Sequence, residues 1–166
     1  MLNAEDIIRL LNLKAHPEGG YYREIYRSEE TMDQKSLPSR YSGPRCFSTG
    51  IYYLLTSDDR SMMHRVKSDE TFHFYMGDPA EILKLYPDGT GEMMEIGIDL
   101  EKGMKPCVTI EKGVWQGQRL KEGGRFVLYG TTVSPGFEFE DFEFGDRESL
   151  QKEYPQFREK IEELTL

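Results

Sequence analysis

The spacing of apolar residues divides the chain into three regions. Near the N-terminus apolar residues recur at helical spacing behind Asn3, a suitable N-cap, which predicts an amphipathic helix over about residues 3–13. From about residue 20 to residue 144 the apolar runs are short and separated by turn residues, which is typical of antiparallel strands. Helical spacing returns over about 146–164, where Pro155 is suited to the first turn of a second helix.

Two segments of the central region give more specific expectations. Residues 81–86 and 92–98 flank a Pro-Asp-Gly turn and form the clearest predicted hairpin. Phenylalanines alternate with acidic residues over 137–144, which predicts a strand with an acidic exposed face. The chain is therefore expected to be all-β, a single domain over residues 1–166 with flanking N- and C-terminal helices.

Amino-acid composition argues against some classes of binding partner. The chain has 166 residues, 21 Lys and Arg against 30 Asp and Glu, and a net charge of −9, which repels nucleic-acid phosphates and anionic lipid surfaces. Its two cysteines, Cys46 and Cys107, stand far apart and lack zinc-site spacing, which suits a reducing compartment. No signal peptide and no apolar run of about 20 residues is present, so we expect a cytoplasmic protein without nucleic-acid or membrane partners.

A histidine and a carboxylate occur at a recognisable spacing in the middle of the chain. His64 is followed by Glu70 and, after six further residues, by Gly77, whereas Val66 stands where a second histidine is expected. This segment resembles the first metal-binding motif of cupins, G-x5-H-x-H-x3-4-E-x6-G. A second segment, EKGVWQ at 111–116, resembles the second cupin motif, P-x-G-x2-H, with Gln116 at the position of the fourth ligand.

The resemblance extends over nearly the whole chain and is closest to the cupin-5 family, long labelled a domain of unknown function. It rests on HPEGGYYRE at 16–24, on residues 48–55, on 64–77, on 113–118 and on SPGFEFEDF at 134–142. The resemblance implies a double-stranded β-helix, or jelly roll, and a homodimer. It implies little about activity, so whether the protein is an enzyme is left open.

His64 and Glu70 are the predicted catalytic residues. If both side chains enter the mouth of a jelly roll, the imidazole and the carboxylate form a general acid and base pair. The competing interpretation is a hydrogen-bonded core histidine beside a glutamate at a strand edge. The prediction therefore depends on the two groups converging in a hollow interior.

A metal is not predicted, and no cofactor is predicted. Functional zinc or iron sites take three or more ligands with histidine prominent, and the residues available here would be His64, Glu70 and Gln116. A metal-dependent cupin with this atypical ligand set remains one alternative.

Further residues are predicted to bind a ligand. Gln116 and Gln118 alternate on one strand face and offer both donors and acceptors. Aromatic area for a small organic molecule would come from three residues of the central strands, Tyr53, Phe72 and Phe74. Arg23 follows a glycine pair and could bind a carboxylate or phosphate, although a strand-entry turn with a surface ion pair is the competing interpretation.

The leading functional hypothesis is a small-molecule-binding cupin, a metal-independent isomerase or epimerase acting on a sugar or related polar metabolite through His64 and Glu70. This hypothesis rests on analogy within the fold. One alternative is a non-catalytic module that senses a metabolite, and the other is the metal-dependent enzyme. The sequence does not identify the substrate.

Overall fold

The computed structural model describes residues 2–166. The helices and longer strands, numbered along the chain, are α1 Ala4–Leu11, β2 Tyr21–Arg27, β5 Thr49–Thr56, β6 Arg60–Val66, β7 Asp69–Gly77, β8 Ala80–Leu85, β9 Gly91–Ile96, β10 Cys107–Ile110, β11 Trp115–Leu120, β12 Phe126–Ser134, α2 Arg147–Glu153 and α3 Arg158–Glu163. The remaining short strands are β1 Lys14–Ala15, β3 Thr31–Met32, β4 Arg45–Cys46 and β13 Phe142–Phe144.

Two antiparallel sheets face each other and form a jelly roll. One sheet has the strand order β1-β2-β5-β12-β7-β10, the other has the order β13-β6-β11-β8-β9, and β3 pairs with β4 separately. Their inner faces meet in a buried apolar cluster that includes Leu55, Ile82, Ile96 and Val127. The predicted all-β class and double-stranded β-helix are therefore confirmed.

The flanking helices cover the outer faces of the two sheets. Helix α1 begins at the predicted cap, where the Asn3 side chain accepts from the Asp6 backbone N–H and the Asp6 side chain accepts from the Asn3 backbone N–H. Ile7 packs near Leu54 against the six-stranded sheet. Helices α2 and α3 pack against the five-stranded sheet around Trp115. Trp115 and its neighbour Gln116 point to opposite faces of β11, with Trp115 toward these helices and Gln116 inside the sandwich.

The local predictions in the central region have mixed outcomes. The hairpin predicted over 81–98 is present as β8 and β9, paired from Ala80 with Ile96 to Leu85 with Gly91. The strand predicted over 137–144 is wrong in its first part, because only Phe142–Phe144 pairs, with β6. Residues 139–141 form a 3-10 turn instead, in which Arg45 binds the buried Asp141 carboxylate. Among residues 2–166, no helix combines the length and the apolar character needed to cross a bilayer.

Candidate functional site

A cavity of about 220 Å³ opens between the two sheets. Aromatic side chains form much of its wall: Tyr22, Tyr53, Phe72, Phe137, Phe139 and Phe142. Four titratable side chains enter it: His16, Glu18, His64 and Glu70. The charged residues that also line it are Lys14, Glu24, Arg27 and Glu138. The cavity thus combines an apolar wall with a small group of proton-binding side chains.

His64 is held at both ring nitrogens. Nδ1 lies 2.7 Å from the carbonyl oxygen of Met62, which can only accept, so Nδ1 carries a proton. Nε2 lies 3.3 Å from Oε2 of Glu18. At this distance His64 forms an ion pair with Glu18 when its imidazole is protonated. Ser61 Oγ donates to the other Glu18 oxygen at 2.7 Å.

A bulge in β6 brings Ser61 and His64 to the same carboxylate. In the pairing with β11, His64 faces Gln116 and Ser61 faces Gln118, so β6 carries one more residue than β11 between these pairs. Residues three apart in a regular strand point to opposite faces, and the extra residue cancels that alternation. The strand therefore presents a hydroxyl and an imidazole to Glu18 from one face.

The tight turn before β2 places Glu18. The amide of His16 donates to Gly20 O at 2.9 Å, and the amide of Met62 donates to Glu18 O at 2.8 Å. Gly19 has φ of +109°, and a Cβ there would lie 2.0 Å from the carbonyl oxygen of Arg60. Only glycine fits this approach, so the turn seats against β6 with the Glu18 side chain directed into the interior.

The Glu70 side chain projects from β7 into the cavity, and a hydrogen bond from the buried Gln116 holds one of its carboxylate oxygens. Gln116 Nε2 donates to its Oε2 at 2.6 Å, and Gln118 Nε2 lies 3.5 Å from Gln116 Oε1. Burial raises the pKa of Glu70 to about 7, against the opposing effects of the nearby His64 and of the Gln116 hydrogen bond. Glu70 Oε1 makes no hydrogen bond to any residue between 2 and 166. Near pH 7 this carboxyl group therefore exchanges a proton readily and keeps one oxygen free.

The raised pKa of Glu70 predicts a pH-dependent stability. In the unfolded chain Glu70 loses its proton near pH 4.5, whereas in the folded chain it does so near pH 7. Between these values the folded state binds more protons, so the free energy of unfolding falls as the pH rises from about 4.5 to 7. The contribution is on the order of 2 to 3 kcal/mol.

Glu70→Gln removes this titration, so we expect the variant to gain about 2 to 3 kcal/mol relative to the natural protein between pH 5 and pH 8. Urea unfolding at both pH values measures the difference. Glu122→Gln, at an exposed position, is the control and should show no such trend. An identical pH trend in the Glu70 variant and the natural protein would contradict the assignment.

His16 also lies at the cavity wall, in a fixed tautomer. The backbone N–H of Glu18 donates to its Nδ1 at 3.2 Å, so in the neutral ring the proton resides on Nε2. Burial lowers the pKa of His16, against the opposing effect of Glu18. The His16 ring packs edge-on against Tyr22 and Tyr53, with centroids 4.5 and 5.7 Å apart. His16 is therefore a neutral hydrogen-bond donor near pH 7.

The predicted site residues fall into three groups: those that line the cavity, those buried behind it and those that lie outside it. His64, Glu70, Tyr53 and Phe72 line the cavity. Gln116 and Gln118 are fully buried behind it, where Gln116 supports Glu70.

Arg23 and Phe74 lie outside the cavity, which corrects two predictions. Arg23 is exposed and donates to the carbonyl oxygen of Leu11, because alternation along β2 gives the cavity face to Tyr22 and Glu24. Phe74 packs against the apolar cluster beyond the end of the cavity.

Three residues of the site were not predicted as functional. Glu18 and His16 belong to the segment 16–24 that carries the cupin-5 resemblance but were given no role of their own, and Ser61 was not singled out. The HPEGG run at 16–20 carried a signal, since a histidine and a glutamate flank a sharp glycine turn. The bulge that directs Ser61 toward Glu18 has no comparable signal in the sequence.

The donors present do not fit the metal that cupin motifs ordinarily hold. Val66 lines the cavity without a donor atom. The Gln116 amide is engaged with Glu70 and Gln118. Within residues 2–166 no three or more His, Cys, Asp or Glu side chains are grouped so that they could hold a metal ion. No chemical step is therefore assigned to a metal.

The fold and the motif residues define a cupin. The family model described as Cupin_5, Cupin superfamily (DUF985), matches residues 5–145, and the chain belongs to this family. Protein SO0799 from Shewanella oneidensis is similar in structure, with a TM-score of 0.89 and 37% identity over 100% of this chain and 99% of that one. A hypothetical protein from Leishmania major has a TM-score of 0.88 and 30% identity, covering 99% of both chains. The uncharacterized yeast protein YML079W (Saccharomyces cerevisiae) is 30% identical over 84% of this chain and 74% of its own length.

Proposed function

We propose that this protein binds a small polar metabolite in the cavity and moves protons on it, as a metal-independent isomerase or epimerase does. The observation that carries the proposal is the pair of proton-binding units at one cavity. The first is His64, whose Nε2 lies 3.3 Å from Oε2 of Glu18. The second is Glu70, whose pKa of about 7 matches the pH at which it would act.

The two units suit complementary roles. Glu70 with a free Oε1 acts as the base that removes a proton from carbon, because about half of it is ionised near pH 7. His64 acts as the acid, because Met62 O fixes a hydrogen on its Nδ1, so that a proton carried at Nε2 beside Glu18 can be transferred and leave the ring neutral. Such positioned acid and base groups typically contribute about 10²- to 10⁴-fold to a rate.

Cavity size limits the ligand. A volume of about 220 Å³ is smaller than the roughly 300–1,000 Å³ of sites for drug-sized molecules. This favours a single sugar or a metabolite of similar size over a sugar nucleotide. The aromatic wall can stack against the apolar face of a sugar ring, while Glu70 and Glu18 can reach its polar groups.

Solvent deuterium exchange tests the proposal. The protein is incubated in D₂O with separate members of a panel of aldoses, ketoses and hydroxy acids, and proton NMR follows the loss of each carbon-bound proton. We expect at least one member to exchange a proton next to its carbonyl group, with an epimer or isomer as product. A compound that binds by calorimetry and never exchanges would support the non-catalytic sensing module instead.

The homodimer implied by the family resemblance stays a prediction. The outer face of the six-stranded sheet is the region where its contact is expected, because Leu10, Ile25, Tyr75 and Met76 are exposed there around a shallow apolar depression.

A further inference from the structure

The Nε2 atom of His16, at the cavity wall, carries a hydrogen but has no hydrogen-bond acceptor within residues 2–166. His16 accepts at Nδ1 from the Glu18 amide, so its Nε2 carries the hydrogen. Nε2 has no hydrogen-bond partner between residues 2 and 166, although the His16 side chain is only 7% exposed. This N–H lies at the cavity wall without a protein acceptor, so it is available to donate to a ligand.

A second polar group of the same wall lacks a partner. Thr131 lies on the inner face of β12, paired with Ile51 on one side and Phe72 on the other, and lines the cavity with both of them. Its residue exposure is 2%, and its Oγ1 is buried without any hydrogen-bond partner in the part of the chain that the structure describes. A valine would fill the same space, so packing alone does not explain the hydroxyl.

We propose that His16 Nε2–H and Thr131 Oγ1–H form an oxyanion subsite that binds the carbonyl oxygen of the substrate. This inference rests on the proposed function and identifies the substrate class as small α-hydroxy aldehydes and ketones. In these compounds the carbon next to the carbonyl carries both an acidic proton and a hydroxyl group. The two donors then supply the enolate stabilisation that acid and base groups alone do not provide.

The reaction step balances without a co-reactant. Glu70 Oε1 takes the proton from the carbon next to the carbonyl, and the electron pair of that C–H bond forms the C=C bond of an enediolate. The former carbonyl π electrons move to the oxygen, where His16 and Thr131 donate hydrogen bonds. His64 returns a proton to the same carbon from its opposite face, the electron pair on the oxygen re-forms the C=O bond, and Glu70 then passes its proton back to His64. The product is an isomer of the substrate, with no net oxidation.

The surroundings of His16 favour a neutral donor. The rings of Tyr22, Tyr53 and Phe139 surround it, with centroids 4.5, 5.7 and 6.1 Å away. Burial among these rings lowers the pKa of His16, so the imidazole donates its hydrogen without carrying a charge. A neutral imidazole stabilises a developing oxyanion without binding the ground state as strongly as a cation would.

Three variants test the subsite in the exchange assay. His16→Phe and Thr131→Val each keep the approximate shape and remove one donor, and each should lower kcat/KM by about 10²- to 10³-fold with little change in KM. His16→Gln restores an N–H near the position of Nε2 and should recover activity to within about tenfold. Matched controls on the outer face of the same sheet are His73→Phe and Thr132→Val. These lose their mutual 3.0 Å hydrogen bond and, for His73, the 3.6 Å contact with Cys107 Sγ, and they should retain activity.

A spectroscopic readout separates this inference from the proposed function. The carbonyl stretching frequency of a bound ¹³C-labelled ketose, measured by difference infrared spectroscopy, should fall in the natural protein and recover in His16→Phe and Thr131→Val. Unchanged exchange rates and an unshifted carbonyl in both variants would overturn the subsite while the proton-transfer function stands. Absence of exchange in the natural protein, with the shift of bound ketose still lost in the variants, would overturn the function and support the subsite.

Discussion

Replacing His64 with glutamine is expected to lower the rate of proton exchange by about 100- to 10,000-fold while ligand affinity changes by less than about tenfold. Glutamine can keep a hydrogen bond to Met62 or to Glu18, so the buried position is not left without polar partners. It cannot hold a transferable proton near neutral pH. The change therefore removes the acid with little disturbance of the cavity wall. Exchange is followed by NMR and affinity by calorimetry.

His73→Gln is the matched control for this substitution. His73 lies on the outer face of β7, where its Nε2 is 3.0 Å from Thr132 Oγ1 and its Nδ1 is 3.6 Å from Cys107 Sγ. The control variant should exchange substrate at the natural rate. If His64→Gln does so as well, His64 is a core histidine and the protein transfers protons by another group or not at all.

The second prediction with a large expected effect concerns the free energy of unfolding, to which one buried ion pair contributes. Arg45 is 1% exposed in its side chain and Asp141 is 2% exposed, and Arg45 Nη2 lies 2.7 Å from Asp141 Oδ1. Arg45 Nε donates to the other carboxylate oxygen, also at 2.7 Å. Asp141→Ala would leave the guanidinium buried with only the exposed Glu140 carboxylate and a backbone carbonyl as acceptors. We expect a loss of about 3 to 5 kcal/mol in the free energy of unfolding, measured in urea.

A neighbouring exposed pair provides the comparison. Arg65 and Glu143 are joined at 2.8 Å, but their side chains are 40% and 57% exposed. Glu143→Ala should cost less than about 1 kcal/mol, because water already solvates both groups. Equal losses in the Asp141 and Glu143 variants would show that burial of the Arg45 pair does not determine its contribution.

The Arg45 pair also has a bearing on the cavity. Asp141 stands between Phe139 and Phe142, two aromatic residues of the cavity wall. Arg27 holds the same segment from the other side, because it donates to Glu138 at 2.7 Å and to Phe137 O at 3.2 Å. Two arginines thus hold in place a wall segment that has little regular secondary structure. We therefore expect the stability and the ligand affinity of Asp141→Ala to fall together.

Local sequence signals predicted the elements well where they were strong. The Asn3 cap and the hairpin turn after Leu85 are both present, because each depends on a few neighbouring residues. The alternation over 137–144 misled in its first part, since Phe137 and Phe139 line the cavity without pairing in a sheet. Tertiary contacts to Arg45 and Arg27 outweigh the local preference for a strand.

The candidate site was predicted only in part. The spacing of His64 and Glu70 indicated two cavity residues, and strand alternation correctly placed Phe72 beside them. Alternation could not predict that Glu18 is the partner of His64, because the two residues are 46 positions apart and meet through a turn packed on a bulged strand. Arg23 was chosen for its charge, although alternation along β2 directs Tyr22 and Glu24 into the cavity.

The sequence by itself determined the antiparallel β class and the flanking helices, and its resemblance to the cupin-5 family implied the jelly roll and indicated His64 and Glu70. These follow from periodicity, caps and motif spacing, which act over a few residues at a time. Only the tertiary structure decided that Glu18 lies beside His64, that one Glu70 oxygen makes no hydrogen bond, and that two donors at the cavity wall lack a protein partner. Those properties depend on distances between strands that are far apart in the chain, and on burial, which raises the pKa of Glu70 and lowers that of His16.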